Sequence, residues 1–135
     1  MPKYLLLKHY RGGPEAPGFP PMDQWTPEEV DAHIRFQKDV VRKFTETGEM
    51  VDAQGLSADG NWVRYGGPDA GPDVLDGPFP ESKELVAGWF MIDVESEARA
   101  HEIAAYASSA PGPRGEPIYE WLEVRQILGA PATMD

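Results

Sequence analysis

The side chains best suited to move protons near neutral pH in this chain are its three histidines, His9, His33 and His101. No two stand at the short spacing by which a helix or tight loop offers two imidazoles to one metal, and the chain has no cysteine. The reading is of a protein with no metal site and no cofactor. His9 ends an apolar run and directly precedes a segment rich in proline and glycine, which makes it the acid/base candidate of the three. A second cluster follows the turn signal Asp76-Gly77-Pro78: Glu81, Ser82, Lys83 and Glu84. A lysine beside carboxylates can orient an acidic substrate, and a desolvated one can act as a base. The catalytic candidates are thus His9, Asp76 and Lys83. A structural alternative stands beside them: a solvated histidine at a strand end, and a turn pinned by the Asp76 carboxylate with solvated charges beyond it. His33 shares a helix face with Val30 and Gln37 and reads as a half-buried histidine with its hydrogen bonds met, while His101 reads as surface. Ser82, Ser108 and Ser109 lack a nucleophile elbow. The segment GGPDAGPD, residues 66–73, carries prolines and acids where a phosphate loop needs free N–H groups and a lysine.

These residues need elements to hold them. Tyr4 to Tyr10, apolar and without helical punctuation, predicts a first strand. Arg11 to Gln24, with four prolines and three glycines, predicts a loop long enough to be functional. WTPEE, Trp25 to Glu29, predicts a helix start: Thr26 as N-cap, Pro27 at the first helical position, and Glu29 completing a capping box. Trp25 and Val30 occupy the positions of a hydrophobic staple. Val30, Ile34, Val41 and Phe44 then form the expected core stripe, and Gly48 the left-handed stop. Met50 to Leu56 predicts a strand, and Trp62 to Tyr65 a short one that pairs with Val74-Leu75 as a small hairpin. Val86 to Val94 gives the strongest strand signal. A second helix runs from Glu97, capped by Ser96, to about Ser109, with a close-packing stripe of Ala100, Ile103, Ala104 and Ala107. Ile118 to Ile127 predicts the last strand.

The order strand, helix, strands, strand, helix, strand is a ferredoxin-like split β-α-β pattern: an α+β domain with an antiparallel sheet and two helices on one face. The 135 residues fit one domain, 1–128, with a tail at 129–135. Alternation along the last strand turns Ile118, Leu122 and Val124 to the helices, and Tyr119, Trp121, Glu123 and Arg125 the other way. Trp89 joins that second face from the strand before. Aromatic groups with a few charges line small-molecule pockets, so these five residues are the ligand-binding candidates. The competing reading is a subunit interface with nothing bound. The net charge of −11 disfavours nucleic acid, which calls for a basic patch. No apolar run reaches the roughly 18 residues of a membrane span, and the opening leucines are too few for a signal-peptide core. A cytoplasmic protein is expected.

The segment DGPFPESKELVAGWFMIDV, Asp76 to Val94, resembles the YCII-related family, in particular its DGPF subgroup, named for Asp76 to Phe79. The opening KYLLL, the passage GEMVDAQGL and the closing IYEWLEVRQI extend that resemblance over nearly the whole chain. It implies a dimeric α/β barrel in which two ferredoxin-like sheets pack face to face, so the chain's first partner is itself. It also implies a largely unassigned activity, with a His–Asp pair in a pocket of some relatives. Aligned on the helix-ending glycine, those relatives' helix histidine falls near Gln37, and His33 lies one turn earlier. Two functions are expected from this. One is a small-molecule-binding protein or cofactor-independent enzyme, with its pocket at the sheet or dimer interface. The other is a non-catalytic regulatory or interaction module.

Overall fold

The computed structural model describes residues 1–11, 20, 22–77 and 85–129. Its clearest local logic is at Thr26. The Glu29 N–H donates to Thr26 Oγ1 at 3.2 Å, and the Thr26 N–H donates to Glu29 Oε1 at 2.9 Å. This reciprocal box starts α1, Pro27–Glu46, with Pro27 where its missing N–H costs nothing. Thr47 caps the far end, and Gly48 turns the chain at φ 82°, a conformation open to glycine without a Cβ penalty.

The main sheet has four strands: β1 (Lys3–Arg11), β2 (Met50–Gly55), β5 (Leu85–Asp93) and β6 (Glu123–Ile127). Their order is β2-β5-β1-β6, every pair antiparallel. β1-α1-β2 thus steps over β5, and the unit from β5 through α2, Glu97–Ala107, to β6 steps over β1. That interleaving is the ferredoxin-like α+β fold. Strands β3 (Gly60–Tyr65) and β4 (Pro72–Gly77) form a separate two-stranded ribbon inserted between β2 and β5.

One face of the sheet carries the core. Tyr4 and Leu6 of β1 lie opposite Ile92 and Phe90 of β5, and Leu6 lies opposite Val124 of β6. Val40 and Phe44 of α1 and Ala100, Ile103, Ala104 and Ala107 of α2 close over them. The α2 stripe is the predicted one, and its alanines let the helix approach the sheet. Arg99 and Glu49 clamp α2 to the turn before β2 through two parallel bonds of 2.9 Å. The Arg99 guanidinium holds the Glu49 carboxyl below its ordinary range.

Three expectations change. The buried stripe of α1 is His33, Val40 and Phe44, with Val41 half-buried, while Ile34 is 40% exposed. The apolar spacing was satisfied by two neighbouring faces, and the polar histidine took the buried one. The last strand begins at Glu123 rather than Ile118. Pro117 has no N–H to give a ladder, Tyr119 sits at φ 48°, and Ile118 donates its N–H to the Ala110 carbonyl at 3.0 Å. The segment is pinned to the end of α2 instead of the sheet. Finally, Asp76 and Gly77 are not a corner. They end β4, paired with Asn61 and Gly60.

Candidate functional site

A cavity of about 460 Å³ opens between α1 and the β2–β5 edge of the sheet. Its origin is legible in three neighbouring backbone positions. Lys8 of β1 is opposite Gly88 of β5, and Gly88 is opposite Gly55 of β2. Two of the three lack side chains, so the helix cannot be met by packing there. A Cβ on Gly88 would lie 2.5 Å from the Gln54 carbonyl oxygen, so the strands approach this closely only with glycine. Ile34 and Val41 of α1, Ala53 and Leu56 near β2, and Phe90 of β5 are among the apolar walls.

The third position projects a lysine. Alternation along β1 sends Tyr4, Leu6 and Lys8 to the same face, so Lys8 is a charge on the strand's core side. Its ammonium donates to His33 Nε2 at 2.7 Å and to Glu120 Oε1 at 3.0 Å. Gln37, one turn along α1, also reaches His33 Nε2 at 3.1 Å. On the other side of the ring, Nδ1 meets the Pro111 carbonyl at 2.9 Å. A carbonyl only accepts, so Nδ1 carries the hydrogen and Nε2 presents its lone pair to Lys8. His33 has no solvent exposure, and Trp25 packs edge-on against its ring at 5.3 Å. Burial first, and the Lys8 charge second, push the His33 pKa below its ordinary value. His33 is therefore a neutral acceptor at pH 7, and it fixes where the Lys8 ammonium stands.

The loop that supplies the Pro111 carbonyl is itself held by α1. Glu29 Oε2 accepts the Arg114 N–H at 2.7 Å while Oε1 accepts that of Thr26. These two backbone bonds lower the Glu29 pKa. One carboxylate thus joins the start of the helix to the loop that orients the histidine.

The candidates read from the sequence are distributed differently. His9 lies one residue past Lys8 and bonds Glu123 Oε1 through Nε2 at 3.1 Å. Glu123 and Arg125 lie opposite Leu7 and Leu5, and Trp89 also lies opposite Leu7, so these groups share the sheet face away from the helices. His9 Nδ1 and Trp89 Nε1 are buried there without a partner among the described residues. Tyr119 and Trp121 precede β6 and are 62% and 57% exposed. Asp76 is exposed on the ribbon, and Lys83 lies outside the described residues. Of the eight, Trp89 alone lines the cavity among the described residues. Lys8 and Glu120 are not among the candidates read from the sequence, where Gln37 enters only as a helix neighbour of His33, and His33 only as a half-buried histidine with its hydrogen bonds met. The available signal was a lysine on the buried register of an apolar strand. Among the described residues no group of His, Asp or Glu is placed to hold a metal, and no helix is long and apolar enough to cross a membrane.

The YCII-related domain matches this chain over residues 3–112. An uncharacterized protein of Rhizobium meliloti (strain 1021) is 31% identical over 88 residues, 64% of this chain and 69% of its own. The matched span contains β1, α1 and β5, and with them Lys8, His33 and Gln37, while Glu120 lies beyond it.

Proposed function

The chain belongs to the YCII-related family, and from that premise we propose that it binds a small molecule in the cavity between α1 and the sheet, with Lys8 as the polar contact and acid/base group. The observation that carries this reading is the Lys8 ammonium, held at the cavity by a neutral imidazole and a carboxylate. An ammonium has three donors, and His33 and Glu120 use two, leaving one for a ligand. Chemistry of this kind needs no cofactor: the ammonium stabilises negative charge developing on a bound carbonyl oxygen or gives that oxygen a proton. His33 is a positioning residue in this scheme. The opposite sheet face, with Leu5, Leu7, Trp89 and Met91 half-buried, is then the seat of a second copy of the chain. His9 and Trp89 would complete their hydrogen bonding in that interface.

Nitrogen-15 NMR with a fragment library tests the reading. Shifts are expected at the Ala53, Gly55 and Gly88 amides, and Ile34→Trp should abolish them by filling the cavity from an exposed helix position. A second reading, an interaction module, draws on the ribbon, where Trp62, Val63, Tyr65, Val74 and Leu75 are each more than half exposed. No shift at the cavity amides from any fragment would remove the first reading and leave the second.

A further inference from the structure

We propose that the ligand of this cavity is a small monocarboxylate with an apolar body, its carboxylate on Lys8 and its hydrocarbon part against α1 and β5; this rests on the small-molecule reading above. The charge count points to it. The whole chain carries 23 acids against 12 bases, yet the described lining of the cavity holds two lysines, Lys8 and Lys38, and no acid. Glu120 stands behind Lys8 at 3.0 Å and is not part of that lining. Among the described residues, two lysines less one glutamate leave a local charge of +1, which matches one negative charge and undercompensates a dianion.

The donors agree with the charge. A phosphate presents three oxygens, and sites built for it use arginine forks or several converging backbone N–H groups. The described lining has no arginine, and its polar groups are Lys8, Lys38, Gln37, Gln54 and a His33 whose one N–H is committed to Pro111. A carboxylate needs fewer donors, and the free Lys8 donor with the exposed Lys38 ammonium is enough. The remaining wall is apolar, with Ile34, Val41, Ala53 and Phe90 surrounding space for a ring or branched chain. A neutral polar ligand would leave the positive charge of the described lining unmatched, while a bare small anion would leave the walls unused.

Calorimetry of the full chain with phenylacetate, phenylacetamide, phenyl phosphate and acetate tests this. Phenylacetate is expected to bind at least tenfold more tightly than the other three. Lys8→Met should erase its advantage over the amide, and Lys38→Gln should reduce it severalfold. The amide binding equally well, or phenyl phosphate binding more tightly, overturns the proposal while the small-molecule reading stands. Failure of every probe, together with silent cavity amides in the fragment screen, overturns both. Should Lys8→Met fail to fold, the comparison of acid with amide on the wild-type protein still decides.

Discussion

His33 has an ordinary pKa in the unfolded chain and a lowered one in the fold, so between the two values the unfolded state binds the extra proton. The stability tied to the neutral ring is present above about 6.5 and is lost as pH falls through that value toward the folded pKa. Lys8, Glu120, Gln37 and the Pro111 carbonyl are the groups around the ring, and Nε2 faces two donors, Lys8 Nζ and Gln37 Nε2, which a protonated Nε2 would oppose. His33→Gln is expected to flatten the fall in urea midpoint between pH 7.5 and 5.5 relative to wild type. His9 and His101 are present in both proteins, so the difference belongs to His33, and parallel pH profiles would contradict this role. At this scale the sequence was least legible. A histidine and a lysine 25 positions apart in the chain meet only because a helix crosses a strand. Periodicity places each on a face but cannot pair the faces. The histidines that could be weighed singly were ranked by nearby turn signals, which favoured His9 over the buried ring.

Elements were far more legible, because their signals are local. The capping box at Thr26 and Glu29, the left-handed Gly48 and the alanine stripe of α2 each depend on residues within two turns of one another. Thr26→Ala removes the side-chain acceptor for the Glu29 N–H and is expected to cost about 1 kcal/mol, read from the shift in chemical denaturation midpoint. An unchanged midpoint would place the helix start elsewhere. The errors fell where distant contacts decide. Ile118 to Leu122 has the composition of a strand, yet Ile118 is claimed by the end of α2 and is buried at 9% exposure. Asp76-Gly77-Pro78 has the composition of a turn, yet the first two residues extend a ribbon whose partner strand begins 17 positions earlier at Gly60. In both cases tertiary pairing overrode a local preference.

At the scale of the whole molecule, both helices cover one side of the sheet, and the other side keeps half-buried leucines, a tryptophan and a methionine. Light scattering at micromolar concentration is expected to report a dimer, and a mass of 14.9 kDa would count against the face-to-face barrel. The ferredoxin-like order could be read from the succession of elements alone, since a strand-helix-strand unit repeated twice has few ways to interleave. The ribbon has a different consequence. The chain leaves the sheet at Gly55 and returns at Leu85, on strands that are already neighbours through the pairing of Gly55 with Gly88. Everything between these exits is tethered at two adjacent points. Lengthening it twofold would cost only about 0.6 kcal/mol in closure entropy. Insertions and deletions between these exits are therefore expected to leave Lys8, His33 and the glycine pair in register.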